Sequence, residues 1–268
     1  MVYRSTSRIV FQICNYTFFV LFSVSILLPF INAISISLSS YAEVAQGNIG
    51  LWPKGWNTDA YVRLMANMSF LRSFGNSVFL TATNTVLVIL FSLCAGFALA
   101  HKHMVGRKVV FTYILVTMFF NGGLIPTYLL VEHLGMLDTR WALIVPSAMS
   151  AFNLIVMRTA FQSIPVSLEE SAKLDGANDF TVLFRIVLPL SMPVVAVMIL
   201  FYGVSHWNGW FNALIYLRTR DLYPLQLILR EILITNSTDS MITGVASGDK
   251  MPVGETIKYA AIIVATVP

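Results

Sequence analysis

The chain has 268 residues, of which 57% are hydrophobic and 11% are charged, and its mean hydropathy is +0.75. An ordinary soluble domain carries about 25% charged residues, so this composition excludes a water-soluble fold and indicates that lipid is the main solvent. The net charge of +4 does not indicate a nucleic-acid partner, because the basic residues are scattered between apolar runs and form no stripe.

Long apolar runs predict one all-α, multi-pass membrane domain over residues 1–268, with about six spans. The first run has roughly 30 residues, more than the core of a signal peptide, so we expect it to stay in the protein. The predicted spans are residues 9–38, 73–100, 109–131, 141–160, 191–217 and 257–268. The last run is only about 12 residues long where a span needs about 20, so we expect this span to be incomplete and the native chain to continue beyond Pro268.

Glycine and proline predict local breaks in these runs. The sequence Asn121-Gly122-Gly123, followed by Pro126, predicts a kink in the third span. Pro189 and Pro193 predict a short surface helix that turns into the fifth span. The polar stretch 39–72 mixes tryptophans with turn-forming residues, which predicts an ordered loop at the membrane surface.

The basic residues near the span ends predict the orientation in the membrane. The turn after the second span contains Lys102, Arg107 and Lys108, whereas the loop after the third span contains only Arg140. Short cytoplasmic loops carry the excess of lysine and arginine, so we expect a cytoplasmic amino terminus. The polar segment that follows the fourth span then also faces the cytoplasm.

That segment, residues 161–189, has strong local signals for helices and turns. Ser167 and Glu170 have the spacing of a capping box, and Pro165 discourages continuation of the preceding helix. The pair Asp175-Gly176 predicts a turn, because glycine can adopt positive φ. We expect a second helix from Asp179 that Pro189 ends or bends. On these signals alone, a well-capped loop between two spans is the favoured interpretation.

The complete spacing of the segment favours a more specific interpretation. Glu170-Ser171-Ala172 is followed after two residues by Asp175-Gly176-Ala177, and after eight more by Ile186-Val187-Leu188-Pro189. This pattern resembles the cytoplasmic coupling motif of binding-protein-dependent ABC importer permeases, with Ser171 in place of the usual alanine. Two later stretches, residues 206–212 and 223–226, resemble the carbohydrate-importer branch that includes the maltose-type permeases. Within that branch, they resemble the group that serves larger or acidic oligosaccharides.

The resemblance implies a permease subunit of an ATP-driven sugar importer in a bacterial plasma (inner) membrane. The partners it implies are a second, different permease subunit, two cytoplasmic ATPase subunits and an extracellular sugar-binding protein. The chain contains no Gly-x-x-x-x-Gly-Lys-Ser/Thr phosphate loop, so we expect no cofactor here and assign ATP and Mg²⁺ to the partner ATPase. The positions expected to couple to that ATPase are Glu169, Glu170, Ser171, Ala172, Asp175, Gly176, Ala177, Ile186, Leu188 and Pro189.

Polar and aromatic residues within the spans are candidates for the substrate path. Asparagine amides can hydrogen-bond to sugar hydroxyls, and aromatic rings can stack on sugar rings. The alternative is structural, because such amides often bond to neighbouring helices and tryptophan often anchors a helix end at the interface. The candidates are Asn84, Asn121, Asn153, Tyr202, Trp207, Asn208, Trp210 and Asn212.

Two other functional classes remain as alternatives, an ion-coupled secondary transporter and an intramembrane enzyme. The spans contain no confidently placed acidic residue of the kind that ion-coupled carriers use, and the chain has no His-Glu-x-x-His or Gly-x-Ser-x-Gly motif. His101 and His103 flank Lys102 without nearby carboxylates, which is a poor metal site, so we predict none. Cys14 and Cys94 lie in apolar runs without motif spacing and are expected to be small packed residues.

Overall fold

The computed structural model describes residues 6–101, 103–235 and 250–267, and every regular element in these ranges is helical. Three residues used in the predictions, Arg4, Lys102 and Pro268, lie outside these ranges. The α-helices are α1 (Thr6–Ser37), α2 (Tyr41–Ala45), α3 (Asp59–Ala66), α4 (Met68–Ala100), α5 (Arg107–Phe119), α6 (Leu124–His133), α7 (Trp141–Ile144), α8 (Ala151–Gln162), α9 (Val166–Leu174), α10 (Asp179–Val182), α11 (Leu188–Leu190), α12 (Met192–Trp207), α13 (Phe211–Tyr216), α14 (Leu225–Thr235) and α15 (Lys250–Thr266).

Two of the described helices, α1 and α4, are each long and apolar enough to cross a membrane. Helix α4 starts before the predicted residue 73, because the side-chain oxygen of Asn67 accepts a hydrogen bond from the backbone N–H of Phe70 at 3.0 Å. Two bent pairs also qualify if each pair is one span: α5 with α6, bent by 117°, and the helix 179–190 with α12, bent by 85°.

Three of the predicted spans are interrupted where the sequence cannot continue a helix. The expected kink in the span 109–131 is a break, in which Gly123 has φ of +87°. The predicted helix 141–160 is two helices, α7 and α8, because Pro146 has no N–H to donate and its ring obstructs the preceding turn. The predicted helix 191–217 likewise stops at Asn208-Gly209 and resumes as α13.

Contacts between residues divide the chain into two compact units, Met1–Leu71 with Leu229–Pro268, and Arg72–Ile228. In the first unit, α15 packs against α1, α2 and α3. The hydroxyl of Ser35 donates to the carbonyl of Leu51 at 2.7 Å, and the hydroxyl of Ser39 accepts from the backbone N–H of Lys54 at 3.0 Å. These bonds fix part of the polar stretch 39–72 to the end of α1.

The second unit contains the core that positions the segment 161–189. Buried side chains from α4, α8, the helix 179–190 and α12 form one cluster. Members from α4 and the segment, such as Phe97 and Val182, are at most 8% exposed. The segment is therefore packed directly against two long helices rather than suspended as a loop. The cluster consists of Val88, Ile89, Leu93, Phe97, Met157, Phe161, Val182, Leu183, Val187, Val195, Met198 and Tyr202.

Candidate functional site

Helix α9 ends in a tight turn that the Asp-Gly-Ala sequence specifies. Gly176 has φ of +83°, as its place after Asp175 predicts. The backbone N–H of Gly176 donates to the carbonyl of Lys173 at 3.1 Å, and that of Ala177 donates to the carbonyl of Ala172 at 2.9 Å. This pair of bonds is the Schellman arrangement, in which the residues at the two ends of the longer bond also make an apolar contact. Ala172 and Ala177 both pack against the core cluster of the second unit.

A capping residue and an ion pair hold the next helix in place. The side chain of Asn178 accepts from the backbone N–H of Thr181 at 2.8 Å, which caps α10. Lys173, in the last turn of α9, lies 2.9 Å from Asp179, in the first turn of α10. The hydrogen bond and charge of Lys173 hold the pKa of Asp179 below its usual value. The two helices are therefore joined as one helix–turn–helix unit.

The capping box that we predicted at Ser167 is not formed. Helix α9 begins at Val166, so Ser167 lies within its first turn, and the N-cap position belongs to Pro165, which has no side-chain capping bond. The ring of Pro165 fixes a φ of −59°, and its ψ of 126° is extended. The helix therefore begins at a proline boundary, two residues earlier than a cap at Ser167 would place it.

Of the two outcomes that we expected at Pro189, an end or a bend, the helix does not end there. The turn before it, Leu183–Val187, is a π-helix, in which the backbone N–H of Leu188 donates to the carbonyl of Leu183, five residues back. A wider turn accommodates a proline that has no N–H and would obstruct the carbonyl four residues before it. The helix continues to Leu190, and the chain bends at Ser191 before α12.

The two adjacent glutamates of α9 have different surroundings. The carboxylate of Glu169 is 2.8 Å from Nε2 of His101, just after the end of α4, and its side chain is 17% exposed. Glu170 is exposed, as are Ser171 and Leu174, the last at 89%. These three residues are therefore accessible at the surface of the segment. Of the remaining predicted coupling positions, Asp175 and Pro189 are exposed, and Ile186 and Leu188 are half-buried.

Two arginines hold the end of α4 beside α9. The carbonyl of Leu99 accepts hydrogen bonds from Nε of Arg107 at 2.9 Å and from Nε of Arg158 at 3.0 Å. The guanidinium group of Arg158 also lies over the ring of Phe111 at 4.2 Å. Cations at the carboxyl end of a helix are favoured by its dipole, so these contacts stabilise the end of α4 where His101 follows.

A separate cavity of about 330 Å³ lies in the same unit, within the size range of ligand sites in proteins. Four of the substrate-path candidates line it: Asn84, Asn208, Trp210 and Asn212. Asn84 accepts from the hydroxyl of Ser147 at 3.2 Å, and Asn208 accepts from the amide of Gln226 at 3.4 Å. Ser205 and His206 also line the cavity, whose lining includes no lysine or arginine.

The structure does not bring the other four candidates to that cavity. The side chain of Asn121 accepts from the backbone N–H of Gly123 at 2.9 Å, within the break between α5 and α6. Asn153 lies in the first turn of α8, which Ser150 caps. Tyr202 is a core residue, 5% exposed, and Trp207 packs edge-on against Phe74 at 5.9 Å.

The loop after α6 is fixed by Asp138. One oxygen of its carboxylate accepts from the backbone N–H groups of Arg218 and Thr219, both at 2.8 Å. The other accepts from the hydroxyl of Thr219 at 2.6 Å. These hydrogen bonds, that of the Thr219 hydroxyl first, hold the pKa of Asp138 below its usual value. Arg140 donates to Asn76 at 3.0 Å and connects the same loop to α4.

Sequence reasoning missed several residues of this arrangement. Asn178 could have been found, because an asparagine three residues before a threonine at a helix start is an N-cap pattern. His101, Ser147, His206 and Asp138 carry no such local signal. Their partners are distant in sequence or are assembled only by the packing of α4 with later helices.

Comparison with known proteins gives consistent matches over most of the chain. Residues 89–266 match the family described as the binding-protein-dependent transport system inner membrane component. Protein LplC of Bacillus subtilis (strain 168) is 40% identical over 259 residues, which cover 97% of this chain and 88% of that protein. The polygalacturonan/rhamnogalacturonan transport system permease protein YtcP of the same organism is also 40% identical over 259 residues, covering 96% and 90%.

A solved structure extends the similarity to three dimensions. A chain in the crystal structure of a bacterial ABC transporter involved in the import of the acidic polysaccharide alginate is 33% identical, with a TM-score of 0.90, and the match covers 100% of this chain and 95% of that one. The family match spans well over half of the chain and includes all of the segment 161–189. The chain therefore belongs to the family of binding-protein-dependent transport system inner membrane components.

Proposed function

We propose that this chain is one of two permease subunits of an ATP-driven importer of oligosaccharides. The observation that carries the proposal is the helix–turn–helix unit of the segment 161–189. It exposes Glu170 and Leu174 on one side and packs Ala172 and Ala177 into the core on the other. A cytoplasmic ATPase that docks on the exposed side of α9 is thus mechanically connected to α4 and α12. In this arrangement ATP and Mg²⁺ bind to the ATPase, two copies of which serve the two permease subunits.

The experiment is co-purification of the permease complex with its ATPase from membranes. Replacement of Glu170 by lysine reverses the charge on the exposed side of α9 and is expected to reduce the amount of bound ATPase. Glu132→Lys makes the same charge change on an exposed residue of α6 and is the matched control. Normal ATPase content in Glu170→Lys, or full-rate uptake in a preparation without any ATPase, would contradict the proposal.

We further propose that the transported sugar is an acidic oligosaccharide, delivered by an extracellular sugar-binding protein. Support comes from the relatives, of which one is a permease for polygalacturonan and rhamnogalacturonan and another belongs to an alginate importer. The test is stimulation of ATP hydrolysis in reconstituted complexes by the binding protein loaded with oligouronides or with neutral oligosaccharides. Stimulation by neutral sugars alone would contradict this assignment.

We propose that the cavity near Asn208 is part of the sugar path in this subunit. Its amides and hydroxyls suit sugar hydroxyl groups, and the ring of Trp210 offers an apolar face. Asn212 is exposed, so Asn212→Ala is expected to reduce uptake while leaving the complex intact. Asn153→Ala is the matched control, because that amide does not line the cavity. Equal uptake by both variants would place the sugar path elsewhere.

A further inference from the structure

A histidine and a glutamate form a direct connection between α4 and α9. His101 follows the last residue of α4, and its Nε2 lies 2.8 Å from Oε2 of Glu169. The side chains are 26% and 17% exposed, so water competes weakly for the contact. The edge-to-face packing of the imidazole on Phe97, with centroids 4.4 Å apart, fixes the plane of the ring. Phe97 itself belongs to the buried core, which makes this contact part of the rigid body of α4.

The two ring nitrogens of His101 contact both helices. Nδ1 lies 2.9 Å from the carbonyl oxygen of Phe97 in α4, and Nε2 lies 2.8 Å from the carboxylate of Glu169 in α9. The Nε2 atom is buried and is close to the carboxylate but not aligned with it as a hydrogen bond. The connection to Glu169 is therefore an electrostatic contact at short distance rather than a directed hydrogen bond.

The neighbouring charged groups leave this pairing intact. Lys173 and Asp179 line the adjoining cavity with His101, but they are paired with each other at 2.9 Å. His103 lines the same cavity and is exposed. The carbonyl of Leu99 accepts hydrogen bonds from Arg158 of α8 and from Arg107 at the start of α5. Within the described residues around the site, Glu169 is the one carboxylate in contact with the imidazole.

We propose that the His101–Glu169 pair is the joint through which a displacement of α9 moves the end of α4. Glu169 is then a positioning residue of the coupling step and not a contact to the ATPase, which leaves Glu170 for that contact. This inference depends on the proposed function, because it assumes an ATPase that moves α9. The contacts of Ala172 and Ala177 with the core are apolar and non-directional, whereas the ion pair adds a specific contact between α9 and the end of α4.

The test measures sugar uptake per ATP hydrolysed in reconstituted complexes. Glu169→Gln keeps the shape of the side chain and removes its charge, and His101→Ala removes the partner. Both are expected to retain bound ATPase and to lose about tenfold in uptake per ATP, because each removes the partly buried ion pair between α4 and α9. The double variant should lose no more than either single variant, because both remove the same interaction. His103→Ala, next to the pair but without a bond to α9, is the control and should match the wild type.

A conservative variant separates a positioning role from a purely structural one. Glu169→Asp keeps the carboxylate and should restore part of the activity that Glu169→Gln loses.

Three results would overturn the inference. Uptake per ATP at the wild-type level in both Glu169→Gln and His101→Ala would show that the pair transmits nothing. Loss of bound ATPase in Glu169→Gln, as expected for Glu170→Lys, would make Glu169 a docking contact. Uptake per ATP in Glu169→Asp as low as in Glu169→Gln would remove the charge from the mechanism. A wild-type complex that imports sugar without any ATPase would instead refute the proposed function, so the two failures are distinguishable.

Discussion

At the scale of single residues, Asp138 shows how one carboxylate connects two distant parts of the chain. It has a positive φ of 57°, which is unusual for a residue with a side chain. Its carboxylate accepts three hydrogen bonds from residues 218 and 219, about 80 positions away in sequence. One residue thereby connects the loop after α6 to the chain after α13.

We expect Asp138→Asn to lower the thermal stability of the purified protein at neutral pH. Asparagine also tolerates positive φ, so this change isolates the effect of the charge. Because folding lowers the pKa of Asp138, its contribution is present above the ordinary carboxyl pKa and is lost as the pH falls through the lowered value. Unfolding temperatures measured from pH 7 downward should therefore converge for the two proteins. Glu132→Gln, in the last turn of α6 before this loop, is the control. Parallel curves for Asp138→Asn and the wild type would contradict the role of the charge.

At the scale of helices and turns, Gly176 is the residue whose replacement is most informative. A side chain at its φ of +83° costs about 1 kcal/mol, although a Cβ atom there would meet no other atom within 4 Å. Gly176→Ala is therefore expected to lower the unfolding temperature and the amount of bound ATPase through backbone strain alone. Gly75→Ala, in open space on α4 and without positive φ, should be neutral or stabilising. A milder effect for Gly176→Asn than for Gly176→Ala would support the strain, and equal stability of all variants would exclude it.

The closest contact between α4 and α8 gives a second prediction at this scale. A Cβ atom at Gly96 would lie 3.3 Å from Cγ of Met157 and 3.4 Å from the ring of Phe161. Gly96→Leu should separate the two helices and destabilise the protein by about 1 to 3 kcal/mol, as overpacking does. The measurement is thermal unfolding in detergent beside Gly75→Leu, which has free space. An effect no larger at position 96 than at position 75 would show that the helices can separate at little cost.

Local sequence signals were sufficient for the parts of the fold that local interactions determine. The all-α fold class and the family are confirmed, and Gly176 has the positive φ expected from its place after Asp175. The start of α9 was wrong by a few residues, because a proline boundary and a serine cap give similar patterns. The His101–Glu169 contact and the cavity around Asn208 could not be predicted, since each depends on how α4 packs against helices 60 or more residues later.

At the scale of the whole molecule, the remaining question is which face of the membrane each loop occupies. Leu174 on α9 and Trp52 in the first polar stretch are 89% and 83% exposed, which makes both accessible to a reagent. With Cys14 and Cys94 replaced, we expect Leu174→Cys to react with a membrane-impermeant maleimide in inside-out vesicles only. Trp52→Cys should react in right-side-out vesicles only. The opposite pattern would reverse the predicted orientation and place α9 beyond the reach of a cytoplasmic ATPase.

The chain bends sharply at Ser191. The helix 179–190 meets α12 at 85°, so a rotation about Ser191 would tilt the longer helix α12 together with the shorter one. Helix α12 has 16 residues, and at about 1.5 Å per residue a tilt of about 10° moves its far end by about 4 Å. That end is Trp207, followed directly by Asn208 in the wall of the cavity. A small rotation of the helix 179–190 that α12 follows would therefore displace a residue in the wall of this cavity by several ångströms.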